Sequence, residues 1–114
     1  MRWSSGLLLL AVAGTVGCKS AFVEADVINA TAAPVSLVEV DYPSASFGVG
    51  SLAAGATYHY RFKILGSGAT KVMWTDAAHV DHSVAGPQLN EGEQGTMAVT
   101  IVGGSAEWKT ELRP

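Results

Sequence analysis

The residues in this chain best suited to metal or acid–base chemistry lie between positions 76 and 82. Two aspartates and two histidines occur there, at Asp76, His79, Asp81 and His82. Carboxylate and imidazole groups bind borderline divalent metals such as zinc and copper. On a β-hairpin, Asp76 and His82 would face each other with His79 in the turn, and His59 from another strand is a further candidate ligand. The alternative is a solvated turn in which Asp caps backbone amides and the histidines are incidental.

Established catalytic motifs do not occur in the sequence. The segment Gly103-Gly104-Ser105-Ala106-Glu107 lacks the final glycine of the G-x-S-x-G nucleophile elbow. Gly48-Val49-Gly50 and Gly66-Ser67-Gly68 do not extend into a phosphate-binding loop, and we interpret their glycines as turn residues. The sequence therefore predicts a protein that is not an enzyme and that needs no cofactor.

Cys18 is the only cysteine, and it directly follows a segment that has the features of an export leader. Arg2 gives a charged start, Leu7 to Ala13 form an apolar run, and the small Gly17 precedes the cysteine. This arrangement resembles the lipobox of bacterial lipoproteins. The resemblance implies that residues 1–17 are removed and that Cys18 carries a diacylglyceryl group, usually with an acylated amine. The alternatives are an ordinary secretory leader and a membrane span, for which roughly 18–20 apolar residues are needed.

The lipoprotein resemblance also implies a location. More than one acyl chain anchors a protein stably to a bilayer. In that family an aspartate after the cysteine commonly retains the protein at the inner membrane, whereas this chain has Lys19. We therefore expect the cell envelope, with the outer membrane favoured if the cell has one. Residues 18–23 would form a tether of roughly 17 Å at full extension, which keeps the folded domain close to the bilayer.

Composition limits what the mature chain can be. Without residues 1–17, 97 of the 114 residues remain, enough for one domain with a modest core. The mature chain has six Lys and Arg against ten Asp and Glu, a formal charge of −4, because Arg2 is lost with the leader. This balance argues against a nucleic-acid partner. With a single cysteine, no disulfide can form within the chain.

Apolar and polar residues alternate along much of the mature chain, which indicates half-buried β-strands. Thr57 to Ile64 give the clearest example, with four apolar residues on one face and four polar residues on the other. No mature segment of ten or more residues shows a helical period. Shorter alternating runs occur at residues 37–42, 71–75, 96–101 and 106–112. The sequence predicts seven or eight short strands in an antiparallel β-sandwich or small barrel.

Two L-x-x-G segments favour the sandwich. Leu52-Ala53-Ala54-Gly55 and Leu89-Asn90-Glu91-Gly92 each lead into an alternating strand. They resemble the strand-turn-strand signature of bacterial immunoglobulin-like domains, in which the leucine seals the edge of the core and the glycine makes the turn. The resemblance implies an Ig-like β-sandwich over residues 24–114, with Trp74 in the central core position. Gly66-Ser67-Gly68 is interpreted as a hairpin connection between strands.

The segment from Tyr42 to Gly48 is the best candidate for partner contact. It joins two strands and carries Tyr42 and Phe47 among small residues. Aromatic side chains on loops of a rigid scaffold often anchor partners, although Phe47 could instead plug the core. We therefore expect an interaction or structural module that contacts the membrane through its lipid and an envelope protein through its surface. The alternative function is an envelope protein that binds a metal or small ligand through the Asp76–His82 segment.

Overall fold

Eight β-strands make up most of the chain that the structure describes. The computed structural model describes residues 21–114, where no helix occurs. The predicted leader, residues 1–17, and Cys18 lie outside this range. The strands are β1 (Val23–Asn29), β2 (Val35–Tyr42), β3 (Ala45–Leu52), β4 (Thr57–Phe62), β5 (Gly68–Thr75), β6 (Asp81–Leu89), β7 (Gln94–Val102) and β8 (Ser105–Arg113).

The strands form two four-stranded sheets. We call the sheet with order β4-β1-β7-β8 the first sheet and the sheet with order β3-β2-β5-β6 the second sheet. Five of the six strand pairs are antiparallel, and β1 pairs with β7 in parallel. The all-β prediction with its strand number is confirmed. The expectation of only antiparallel pairing is wrong at β1–β7, because strands distant in sequence meet there.

The alternating residues supply the core between the sheets. In β1 every second side chain is buried, and β7 contributes Met97, Val99 and Ile101, each at most 2% exposed. Trp74 of β5 is 1% exposed and is among the largest fully buried side chains, as the sequence predicted. Alternation therefore identifies the core-facing side of these strands correctly, because one face of each strand must leave water.

Four connections cross from one sheet to the other, namely β1–β2, β3–β4, β4–β5 and β6–β7. The connection at residues 66–68 was predicted to be a hairpin, but β4 and β5 belong to different sheets, so this prediction is wrong. Both L-x-x-G segments also lie where the chain crosses between sheets. Their leucines, Leu52 and Leu89, are at most 5% exposed, and their glycines, Gly55 and Gly92, have φ of 78° and 84°. Glycine adopts this left-handed conformation without strain.

The sequence predicted strands after the 42–48 segment and on both sides of the 76–82 hairpin, but it gave no bounds for β3 and β6. The loop predicted at residues 42–48 is wrong from Ala45 onward, where β3 begins. β3 contains Gly48 and Gly50, which weaken the strand signal, and the pattern of β6 is interrupted by Gly86 and Pro87. Gly86 has a packing role, because a Cβ there would collide with the Trp108 ring of β8. The absence of a side chain at Gly86 thus lets the Trp108 ring of β8, in the first sheet, pack against β6 of the second sheet.

Asn29, at the end of β1, is a buried polar residue that joins two turns, β1–β2 and β3–β4. Its side chain is fully enclosed, and its Nδ2 lies 2.9, 3.0 and 3.2 Å from the carbonyl oxygens of Ala33, Leu52 and Ala53. Its Oδ1 accepts the backbone amide of Thr31 at 3.0 Å and lies 2.6 Å from the Thr31 hydroxyl. Buried polar groups need such partners, so Asn29 fixes the β1–β2 turn against the end of β3.

We predict that Asn29→Ala lowers the free energy of unfolding by about 2–3 kcal/mol, because it leaves buried carbonyl groups without their donor. Thr31→Ala should cost about 1 kcal/mol, since it removes one hydroxyl from the same network. Urea unfolding followed by tryptophan fluorescence measures both. The exposed Asn90→Ala is the control and should change stability by less than about 0.5 kcal/mol. Equal stabilities for Asn29→Ala and Asn90→Ala would contradict this role.

Candidate functional site

The Asp76–His82 segment forms the turn between β5 and β6. Asp76 Oδ1 accepts the backbone amides of Ala78 at 2.8 Å and Val80 at 3.0 Å. The Asp76 amide in turn donates to the Val80 carbonyl at 2.9 Å. His79 lies in the turn with φ of 64°, a left-handed conformation that is uncommon for a residue with a side chain. The carboxylate of Asp76 therefore holds the turn that carries His79.

His82 contacts Asp76 across the hairpin, as the sequence predicted. Its Nε2 lies 2.7 Å from Asp76 Oδ2, and both side chains are partly buried. The imidazole also stacks on Trp74, with ring centroids 5.1 Å apart and planes 23° apart. The hydrogen bond from His82, together with those from Val80 and Ala78, lowers the pKa of Asp76 below its ordinary value of 3.8. The pair thus fastens the hairpin to the edge of the core.

The predicted metal ligands do not converge. Asp81 accepts a hydrogen bond from the Thr75 hydroxyl at 2.7 Å, and His79 is exposed in the turn. His59 is on β4 of the first sheet, away from this hairpin. Within residues 21–114, no group of three or more His, Cys, Asp or Glu side chains is arranged to hold a metal ion. Of the predicted set, the structure brings together Asp76 and His82.

An open hollow of about 370 Å³ adjoins His82 on the second sheet. Leu37 lies at this hollow and also lines a second shallow hollow toward β3. Its side chain is 69% exposed and its φ is 50°, at a point where the register between β2 and β5 shifts. The first hollow is lined by Leu37, Glu39, Met73, Trp74, Thr75, Asp81, His82 and Ser83.

The conformation at Leu37 depends on glycine in the neighbouring strand. Gly48 of β3 lies so close to the Val38 carbonyl oxygen that a Cβ at position 48 would collide with it. Gly48 is therefore a close-approach residue within β3, and the turn role predicted for it is wrong. This distortion could not be predicted from the sequence, because Leu37 belongs to a regular alternating run.

Tyr42 and Phe47, the predicted partner-contacting residues, belong to an aromatic cluster within the sandwich. Phe47 is 6% exposed, and its ring stacks on Tyr60 with centroids 4.5 Å apart. Tyr42 is half-buried, with its ring centroid 4.1 Å from that of Phe62. The core position of Phe47 matches the alternative interpretation of that residue, the core plug.

His59 lies on the outer face of the first sheet between two carboxylates. Its Nδ1 is 2.7 Å from Asp26 Oδ1 and its Nε2 is 2.8 Å from Glu24 Oε1. The hydrogen bonds with Asp26 and Glu24 raise the pKa of His59 above 6.5. Arg61 Nε lies 3.3 Å from Glu24 Oε2, so the same carboxylate links two residues of β4 to β1. Each of these side chains is about half exposed, which makes their pairing a weak contribution to stability.

Comparisons with protein-family models, curated proteins and solved structures found no match to this chain. Between residues 21 and 114, no helix has the length and apolar character to cross a membrane.

We predict that Leu37→Gly raises the free energy of unfolding by about 1 kcal/mol, because glycine relieves the left-handed strain. Little burial is lost, since Leu37 is mostly exposed. Urea unfolding measures the change. Leu65→Gly is the matched control, because Leu65 is 61% exposed and is not among the residues with positive φ. A Leu37→Gly variant no more stable than the parent would contradict the strain.

We predict that Asp76→Asn lowers the melting temperature at pH 7 and that the difference from the parent shrinks in acid. The folded-state pKa of Asp76 is depressed, so its contribution is present above pH 3.8 and is lost as pH falls through the folded pKa. Melting curves from pH 2 to 7 test this. His82→Phe keeps an aromatic ring on Trp74 but removes the hydrogen bond to Asp76. The melting temperature of this variant should therefore depend less on pH than that of the parent. Parallel curves for parent and Asp76→Asn would contradict the prediction.

Proposed function

We propose that this chain is a lipid-anchored protein of the cell envelope, acting as a non-enzymatic interaction or structural module, with the outer membrane favoured as its site. The observation that carries the proposal is Cys18, placed directly after an export-like leader and three residues before the first described residue. Acylated Cys18 would supply the membrane contact, and an envelope protein would be the partner.

The path of the chain after Cys18 supports a close and oriented attachment. The Phe22 carbonyl accepts the Gly95 amide at 3.1 Å, and the Arg61 guanidinium lies 3.9 Å from the centroid of the Phe22 ring. From Cys18 to Ala21 the chain spans about 10 Å at most. The end of the sandwich that carries Phe22 would therefore face the bilayer. Leu65, which is 61% exposed, follows β4 at this same end.

The opposite end of the sandwich would face away from the membrane. It carries the Asp76–His82 hairpin, and a Cβ at Gly104 in the β7–β8 turn would lie 3.4 Å from His82. Strands of eight or nine residues separate the two ends by about 30 Å. The hairpin would thus be accessible to other envelope components. Because Asp76 and His82 are engaged in holding this turn, their arrangement favours a scaffold over a catalytic site.

We further infer that the sandwich is Ig-like. Leu52 and Leu89 are buried where the chain crosses between sheets, and Trp74 is a buried core residue at 1% exposure. These positions agree with the roles that the L-x-x-G resemblance implies. The inference concerns architecture and carries no partner or activity with it.

Incorporation of labelled palmitate tests the anchor. We expect the full-length protein to take up the label and to fractionate with membranes, and Cys18→Ser to lose both properties. Ser20→Cys in the Cys18→Ser background is a matched control, since it restores a thiol two residues from the proposed site and should not restore labelling. Equal labelling of the parent and Cys18→Ser would overturn the proposed lipidation.

A further inference from the structure

The four edge strands of the sandwich differ in how they are protected against pairing with another chain. Edge strands expose unpaired backbone groups, and proteins protect them with charge, proline, bulges or short length. β4 is short and carries His59 and Arg61. β6 contains Asp81 and Pro87 and has an irregular register with β5. β8 carries four charged residues along its nine-residue length.

β3 has none of these protections. Its eight residues include no charged residue, no histidine and no proline, and no shift interrupts its register with β2, in which Leu37 and Gly50 are left unpaired. Among residues 21–114, β3 pairs only with β2, although the Asn29 side chain engages the carbonyl of its last residue, Leu52. We call its free side the β3 edge (Ala45–Leu52). This edge has the length and regularity needed to accept a further strand.

The charges next to the β3 edge are negative. In register with Gly48 and Ser46 of β3 are Glu39 and Asp41 of β2. Glu39 and Asp41 are two positions apart on β2 and so lie on the same face of the sheet, where Asp41 raises the pKa of Glu39. Lys71 Nζ approaches Asp41 Oδ2 at 3.9 Å from β5, the far side of β2. β3 itself has no cation. Asp41 Oδ1 is buried and has no hydrogen-bond partner among the described residues, and the Asp41 side chain as a whole remains 35% exposed.

A strand added to the β3 edge would lie about 10 Å from β2. Gly48 has no side chain and Ser46 has a short one, so long side chains from the added strand can reach over them toward Glu39 and Asp41. Lysine and arginine have the length and the charge for this contact. Opposite charges on directly neighbouring strands stabilise a sheet, and the small side chains at positions 46 and 48 would let the same attraction act across β3.

We propose that the β3 edge binds an extended segment of a partner protein by strand addition, and that this segment carries Lys or Arg at alternate positions. Backbone hydrogen bonds to β3 would supply affinity, and the carboxyl groups of Glu39 and Asp41 would select the basic residues. The proposal does not require the lipid anchor.

A second copy of this chain fits the β3 edge less well than a basic partner. β3 offers no cation to the Glu39 and Asp41 carboxyl groups of another copy. Antiparallel pairing of two β3 strands would also turn the Phe22 ends of the two copies in opposite directions. That geometry opposes attachment of both copies to one bilayer, an argument that rests on the proposed function.

The test uses full-length protein in detergent micelles and a fluorescent heptapeptide that alternates lysine with threonine. Fluorescence anisotropy gives the Kd, and amide hydrogen exchange shows which strand gains protection. We expect binding that weakens with added salt and protects β3. A peptide that alternates glutamate with threonine should bind more weakly.

Variants at open positions make the test specific. A Cβ at Gly50 meets nothing within 4 Å, so substitutions there should leave the fold intact. We expect Gly50→Lys to raise Kd by about threefold, Gly50→Glu to lower it by about threefold, and Gly50→Ala to leave it unchanged. Glu39→Gln should raise Kd by about threefold, whereas Glu107→Gln on the β8 edge should have no effect.

Three results would overturn the proposal. The first is absence of binding by the lysine peptide, and the second is binding that the Gly50 and Glu39 variants leave unchanged. The third is protection of β3 that grows with protein concentration without peptide, because it would assign the edge to a second copy. These results are independent of palmitate labelling, so failure of strand addition and failure of the lipid anchor can be told apart.

Discussion

The enclosed hydrogen bonds of Asn29 are the constraint on which the arrangement of the two sheets depends. β1 belongs to the first sheet, and its last side chain donates to the carbonyl groups of Leu52 and Ala53. At these residues the chain leaves β3 of the second sheet and returns to the first sheet. The backbone of Asn29 contributes as well, because its amide donates to Ala56 at 2.9 Å and its carbonyl accepts from Gly55 at 2.8 Å. A domain without a disulfide gains from such a connection, since apolar packing alone does not fix the position of one sheet relative to the other.

The ends and the edges of the sandwich differ in their residues. Phe22 marks the end nearest the proposed anchor, and the hairpin with Asp76 and His82 marks the far end. The long sides differ in their protection. Three of the edge strands carry charge, whereas β3 has no charged residue. A module held close to a bilayer would keep such a side edge open to partners in the envelope, whichever end faces the membrane.

The distorted backbone at Leu37 lies in β2, the strand that pairs with the β3 edge. Its left-handed backbone brings the Val38 carbonyl against Gly48, so that β2 and β3 adjust to each other at this point. Strained and exposed apolar residues are uncommon because they cost stability without adding to the core. Leu37 lies between two shallow hollows on this face of the sheet, next to Glu39.

The sequence by itself determined the all-β class, the core-facing side of most strands, Trp74 as a core residue and the hairpin contact of Asp76 with His82. These features are local, because alternation and turn residues act over a few positions. Tertiary structure decided the parallel pairing of β1 with β7, the crossing at residues 66–68 and the strand that contains Phe47. It also decided the enclosure of Asn29 and the free edge of β3. Each of these depends on which distant segments become neighbours, and that choice follows from packing and hydrogen bonding across the whole sandwich.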